Sequence, residues 1–384
     1  MSGAIIIEGH IQGLSNTRAL GEAGVPVYVV DTTSCIAQYS KHCRKFFRSP
    51  GFNSDEFAEF LIDLARSEDI RGWLLLPSND HAVHTIARHR KALEESYGLV
   101  TPPLEVIDNI YDKVRLISLA TKLRVPVPLT WLPGAEGFED KGSLPYPLIV
   151  KGRNGLSFYK RTGRKAFLIQ SVADYDQVMG RLDMEVGVSN CFLQEVIPYD
   201  SANKTISFTV FSINGKIMAW WTGSKIREHP LRFGTATFCE SVVADSLREP
   251  SERILRELEY TGICELEYLR DHRDGQHKLI EINARTWLWT GLARAAGVDF
   301  ALMAYDFVNG RDVTFPGSYR AGVRWANRYT DFFYSLSAML KGRLNIREFL
   351  ASYRGEVVDA VWYKGDNRPA LMYFLYLFRF FRHR

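Results

Sequence analysis

Residues 277–289 read HKLIEINARTWLW, an apolar, aromatic-rich run in which Glu281, Asn283 and Arg285 stand two residues apart. In an extended chain, residues two apart point to the same side. The run therefore predicts a strand with a carboxylate, an amide and a guanidinium in one row, and burying such groups is costly unless something pairs with them. Upstream, CELEYL (264–269) and HKLIEI (277–282) flank a polar turn at Asp274-Gly275, which predicts a hairpin bringing Glu265 or Glu267 beside Glu281. Neighbouring carboxylates repel unless a cation lies between them. With Asn283 as a third oxygen, the expected cation is Mg²⁺, which takes a few carboxylates and completes its shell with water and phosphates.

Working outward, YPLIVK ends an apolar strand at Lys151 and enters GRNGLSFYKRTGRK, so that 146–170 reads as strand, glycine-rich loop, strand. Backbone amides of such a loop can close over phosphates, and a lysine at its mouth can hold their oxygens. Lys113, in IYDKVRL, opens a helix about forty residues earlier. CFLQEVIP ends another strand at Gln194-Glu195 and could present backbone groups to a purine edge. Taken singly each piece has a bland reading: a solvated strand face, a surface ion pair, a strand leaving its sheet.

The first hundred residues have a different texture. AIIIEGH (4–10), the helical SNTRALGEAG and VPVYVVD (25–31) form a strand, helix, strand unit, and GWLLLPSNDHAVHTIARHRKAL adds a strand, a loop and a helix. Ser78, Asn79 and Asp80 then lie at a strand's carboxyl end, where ligands of open α/β sheets gather. The Pro-rich VTPPLEVI marks a boundary near 101–104. The expected fold class is thus α/β followed by α+β: an N-terminal open parallel α/β domain over 1–103, a central domain over 104–310, and a helical or mixed segment over 311–384.

Composition narrows the function classes. A chain of 384 residues with 46% hydrophobic and 13% aromatic content predicts folded cores, and 48 basic against 44 acidic residues is too balanced to argue for a nucleic-acid binder. Five scattered cysteines with no CxxC pair suggest neither a disulfide framework nor zinc, and His81, His84 and His89 lack the partners that would complete a metal site. The start MSGAIIIEGH reads as a strand, not a secretory leader, which with the cysteine usage gives a cytoplasmic expectation. The end, PALMYFLYLFRFFRHR, falls short of the ~20 apolar residues that span a bilayer. It has two readings, an amphipathic helix on a membrane surface or a helix docked on the body or on a second subunit of a homodimer.

Taken in order, Lys113, YPLIVKG, the glycine-bearing loop, FLQEVIP, ELEY and EINAR resemble the ATP-grasp superfamily over roughly 105–300, and the preceding α/β region resembles that family's N-terminal domain. EINARTWLWTGLARAAGVDF and SKIREHPLRFGTATFCES have the look of its carboxylate-amine ligase branch, related to D-aspartate ligases. The resemblance implies an ATP- and Mg²⁺-dependent ligase that activates a small-molecule carboxylate as an acyl-phosphate and joins it to an amine. The runners-up are phosphorylation or carboxylation on the same site, or a non-catalytic ATP-binding regulator.

By resemblance, Lys113 and Lys151 contact the α- and β-phosphates, and Gly152 to Lys160, including Gly155 and Ser157, form the mobile loop over the γ-phosphate. Gln194, Glu195 and Ile197 match the adenine segment, with Asp200, or else Asn203, as the ribose contact. Glu267, Glu281 and Asn283 match the magnesium ligands, Glu267 being preferred to Glu265 because it directly precedes the aromatic Tyr268. Arg285 matches the arginine that neutralises charge on the transferring phosphoryl. Two departures, Ala284 for the usual proline and Gly152 where proline is common, remove no ligand. For the substrate carboxylate or acyl-phosphate, GSKIREHPLRFGTATF offers Arg227 first, with Lys225 and Arg232; Arg294 and Asp80 are further substrate candidates.

Overall fold

The computed structural model describes residues 2–134, 141–198, 204–229 and 234–382. Two compact units are not consecutive stretches of chain: the first comprises 1–107, 206–265 and 283–384, the second 108–205 and 266–282.

In the first unit, β1 (Ala4–Ile7), β2 (Val27–Asp31), β3 (Cys43–Arg48), β4 (Trp73–Pro77) and β5 (Tyr97–Leu99) form an all-parallel sheet ordered β3-β2-β1-β4-β5. Both faces are covered. Ala4 and Ile6 lie in one core with Leu14, Leu20, Leu292 and Phe300, whereas Ile5 and Ile7 lie in another with Phe57, Leu61, Ala82 and Ile86. This explains why β1 is a continuous apolar run with no alternation. The strand order reverses at β1, so the carboxyl ends of β1 and β4 mark the switch point at which open α/β sheets bind ligands.

Glu8, just past β1, adopts φ +70°, and a Cβ on Gly13 would stand 2.0 Å from its carbonyl oxygen. Only glycine permits the helix Ile11–Glu22 to come that close. Gly13→Ala should therefore lower the midpoint of thermal unfolding through an overpacking cost of about 1–3 kcal/mol; an unchanged midpoint would refute this.

The second unit holds an antiparallel sheet, β6 (Thr130–Trp131), β7 (Leu148–Gly152), β8 (Phe167–Ile169) and β9 (Cys191–Glu195), ordered β6-β9-β7-β8. Its core gathers Leu148, Val150, Phe158, Phe167, Leu182 and Leu193. Here one expectation is corrected: Gly152 to Lys160 is not a loop between strands, because a helix, Gly155–Thr162, occupies most of it. Asn154 caps that helix by accepting the Ser157 amide at 2.9 Å, and Gly163, at φ +69°, closes it. Helical spacing of Phe158 and Thr162 on the buried side prevailed over the glycine count.

The remaining strands are β10 (Thr205–Ile213), β11 (Lys216–His229), β12 (Thr235–Ser241), β13 (Gly262–Arg270), β14 (His277–Asn283), β15 (Arg324–Ala326) and β16 (Val357–Asp359), ordered β14-β13-β10-β11-β12-β15-β16. The expected β13–β14 hairpin forms, with Gly275 at φ +73° and the Asp271 amide donating to the Gln276 carbonyl at 2.8 Å. The boundaries between the two units fall inside these two strands, after Glu265 and after Ile282.

At the C-terminal end, the helix Arg368–Arg382 buries Ala370 and Tyr373 in the first unit's core. The Asn327 amide donates to the Tyr373 hydroxyl at 2.9 Å, and the hydroxyls of Tyr39 and Tyr376 share a hydrogen bond. Of the tail's two readings, this is docking on the body. Among the described residues no helix is long and apolar enough to cross a membrane.

Candidate functional site

In the second unit the two lysines stand on different elements. Lys113 opens a helix, as expected: Asp112 caps it by accepting the amides of Val114 (3.0 Å) and Arg115 (3.2 Å). Arg153, at the end of β7, holds Asp112 at 2.7 Å, and its carbonyl accepts the Lys113 amide at 2.9 Å. Those contacts tie the Lys113 backbone to the residues just after Lys151. The Lys113 ammonium donates to Glu281 Oε1 at 2.7 Å.

Lys151 lies on β7, and its Nζ donates to Gln194 Oε1 on β9 at 2.9 Å; Gln194 in turn donates to Thr130 Oγ1 at 3.2 Å. Burial, reinforced by the Lys113 cation and only partly opposed by Glu281, pushes the Lys151 ammonium down to about 7 from its ordinary 10.5. The Lys113 ammonium, the Lys151 amine and the Glu281 carboxylate thus share one half-buried cradle. Its lysines suit the oxygens of a polyphosphate, so the residues fit a nucleotide. Gly152 is packed so tightly that a Cβ would meet Phe158 at 2.3 Å.

Glu195, at the end of β9, accepts the Leu129 amide and Lys278 Nζ on Oε1, at 2.9 and 2.8 Å, and Arg273 on Oε2 at 2.5 Å. Burial alone would raise its pKa, but these three donors hold it below the usual carboxylate range. Its side chain is therefore committed to structure, which leaves the backbone of 195–197 as the group a base could meet. Ile197 is buried. Asp200 and Asn203, the ribose candidates, and Arg232 lie outside the described residues. Glu267 is half-buried on β13.

In the first unit, Arg285 is held by Asp80, Nε to Oδ1 at 2.7 Å and Nη2 to Oδ2 at 3.1 Å, and also donates to Asn283 Oδ1 at 3.2 Å. Asp80 reaches Arg285 because Asn79 caps the helix Asp80–Arg88 by accepting the Ala82 amide. Asn283 donates from Nδ2 to Glu265 Oε2 at 3.1 Å, and Ser207 donates to Glu265 Oε1 at 2.6 Å. Of the two glutamates that the hairpin offered, Glu265 is the buried one that orients Asn283, while Glu267 is half-buried. This gives Glu265 a role in orienting Asn283 that the sequence did not distinguish.

Sequence reading also missed Glu8. Its carboxylate accepts from Gln12 at 2.9 Å. Burial pushes its pKa up to about 7, against the pull of Asn79 and Arg285 and with help from Asp31 and Asp80. No motif marks a single glutamate after a strand. The signal lay in its place, at the carboxyl end of β1 beside the switch point.

Two of the proposed substrate arginines are engaged elsewhere. Arg227 is gripped by the fully buried Asp331, Nε to Oδ1 at 2.8 Å and Nη2 to Oδ2 at 2.7 Å, and stacks 4.1 Å from the Phe238 ring centroid. Its proximity to the substrate segment in sequence hid a partner a hundred residues away. Arg227→Met should cost about 3–5 kcal/mol of unfolding free energy, because it strands a buried carboxylate. Denaturant titration checks this, and turnover per folded molecule should be retained. Arg294 spans Glu22 (2.7 Å) and Asp299 (2.9 Å). Lys225 is half-buried on β11, paired in register with Cys239. Trp287 and Trp289 pack on Trp221 at ring centroids 5.8 and 5.4 Å away, which makes them core.

The side chains expected as metal donors, Glu267, Glu281 and Asn283, carry hard oxygens of the kind that suits Mg²⁺. No group of three or more His, Cys, Asp or Glu side chains placed to hold a metal occurs among the described residues.

The profile of the carbamoyl-phosphate synthase L chain, ATP binding domain, matches residues 222–314. The D-aspartate ligase of Enterococcus faecium is 23% identical over 250 residues, 62% of this chain; the match spans 59% of that protein's length. A biotin carboxylase from Campylobacter jejuni, solved as a β,γ-ATP complex, superposes with a TM-score of 0.66 at 16% identity, covering 84% of this chain and 74% of that one. N5-carboxyaminoimidazole synthetase from Staphylococcus aureus, solved with ADP, gives 0.64 at 16% identity, over 84% and 80%. At such identities the structural likenesses establish the fold.

Proposed function

We propose that this chain, whose fold is that of the ATP-grasp enzymes, is an ATP-dependent ligase that activates a carboxylate as an acyl-phosphate and joins it to an amine, releasing ADP and phosphate. The observation that carries the reading is the convergence of Lys113, Lys151, Gln194 and Glu281 in one unit, a lysine-lined cradle that suits phosphate oxygens. The likeness to D-aspartate ligase supports an amino acid as one reactant.

In this mechanism Lys113 and Lys151 hold phosphate oxygens, and Gly152, Gly155 and Ser157 border them. Glu195 to Ile197 present backbone to adenine. Glu267, Glu281 and Asn283 would hold Mg²⁺, which when bound neutralises charge on the phosphates. Arg285, kept in place by Asp80, stabilises charge on the phosphoryl group as a carboxylate oxygen attacks the γ-phosphorus and ADP departs. The amine nitrogen then attacks the acyl carbon, loses a proton, and expels phosphate. Lys225 remains a candidate for the acid's carboxylate. Arg227 and Arg294 are left out because their guanidinium groups serve Asp331, Glu22 and Asp299.

The test is ADP release with pooled amino acids and Mg²⁺, with phosphate measured alongside and hydroxylamine present in a parallel reaction. Ligation gives equal ADP and phosphate, and hydroxylamine diverts the acyl-phosphate to a hydroxamate. A stable phosphorylated product in place of free phosphate would overturn ligation in favour of phosphotransfer.

A further inference from the structure

The tip of the β13–β14 hairpin carries an ion network that the phosphate and metal roles do not use. Lys278 Nζ donates to Glu195 Oε1 at 2.8 Å and to Asp271 Oδ2 at 2.7 Å, and lies 3.5 Å from Asp274. Arg273 bridges the same two acids, reaching Glu195 Oε2 and Asp271 Oδ2, each at 2.5 Å. Asp271 is fully buried, Glu195 and Lys278 nearly so, while the Arg273 side chain is 44% exposed.

The network balances two cations against two buried carboxylates, with every Glu195 oxygen occupied. It also fixes backbone. Glu195 Oε1 accepts the Leu129 amide, the Leu129 carbonyl accepts the Glu195 amide at 2.9 Å, and the Pro126 carbonyl accepts the Leu279 amide at 2.8 Å. The hairpin is thus stitched to the 126–129 segment and to the end of β9 at once.

We infer that Lys278, with Asp271 and Arg273, positions the Glu195 to Ile197 backbone that reads the nucleobase, so that the hairpin bearing Glu267 and Glu281 also governs base recognition. This rests on the nucleotide reading proposed above. Lys278 is a positioning residue, since it acts through Glu195. A simple surface pair would contribute little. Here both acids are buried, and removing a cation leaves a desolvated carboxylate free to turn, carrying its own peptide group with it.

The experiment compares MgADP with MgGDP by calorimetry on the full chain, for the parent protein and for Lys278→Met, Lys278→Arg and Arg273→Met. The parent is expected to prefer ADP. Lys278→Met should narrow that preference at least fivefold, chiefly by weakening ADP, and Lys278→Arg should restore most of it. Arg273, on the solvent side, provides a variant that remains foldable if Lys278→Met does not, and should narrow the preference in the same direction. A purely structural role would weaken both nucleotides by the same factor and leave their ratio unchanged, which overturns the inference. A parent that binds both nucleotides without preference also overturns it, whereas a parent that binds neither overturns the nucleotide reading itself.

Discussion

Replacing Glu281 by alanine is expected to lower kcat/KM for ATP-dependent turnover on the order of 10³-fold, the scale associated with losing a group that stabilises charge on a transferring phosphoryl. Two effects combine. A hard oxygen donor is lost, and so is the anion that pairs with Lys113 and favours the charged form of Lys151. The fold should scarcely notice, because Glu281 is 42% exposed and such a pair contributes at most about 1 kcal/mol. Glu281→Gln separates the two effects: it can still accept from Lys113, but it is a poor magnesium ligand, so it should restore little turnover. Full ADP release by Glu281→Ala, measured with saturating Mg²⁺, would sink the assignment.

Lys151→Met should raise the KM for ATP and lower kcat, with a combined loss of about 10²–10³ in kcat/KM. The wild-type lysine has a distinct signature. With its pKa depressed to about 7, it is mostly neutral at pH 8 in the nucleotide-free protein and mostly charged at pH 6. Phosphates favour the ammonium, so nucleotide binding should take up close to one proton at pH 8 and almost none at pH 6. Calorimetry in buffers of different ionisation enthalpy counts those protons, and the pH 8 uptake should vanish in Lys151→Met. The same depression makes Lys151 a stability cost that is absent above its unfolded pKa of about 10.5, grows as pH falls, and is fully present below about 7. A bound polyphosphate relieves it. Equal proton counts at both pH values would contradict the depressed pKa.

Much of the fold was legible because its signals are local. The parallel sheet followed from apolar runs such as AIII, and the hairpin from two alternating stretches around Asp274-Gly275. The helix at Gly155 was not legible, since two glycines and an asparagine suit a loop as well as they suit an N-cap; Phe158 reaching the core is a tertiary fact. Site residues divide in the same way. Lys113, Lys151 and Glu281 were found through spacing and resemblance, and the structure brings them together. What spacing could not supply were partners remote in sequence: Asp80 for Arg285, Asp331 for Arg227, Glu265 for Asn283. Glu8 was invisible because its chemistry comes from burial and from φ +70°, neither of which is written in residue type.

The interleaving of the two units has a consequence for how the chain is made. The second unit is complete only when residue 282 has been synthesised, because Lys278 and Arg273 supply the countercharges for Glu195. The first unit waits longer still. The face of β1 bearing Ala4 and Ile6 packs with Leu292, Ala293, Phe300 and Ala304, so the earliest strands to leave the ribosome keep an apolar surface uncovered until nearly three hundred residues have followed. At about 5–20 residues per second that interval is on the order of 15–60 s, during which a bare parallel sheet is open to aggregation. Bacterial yields of this protein should therefore respond to a chaperone that acts during translation more than to stabilising the finished fold.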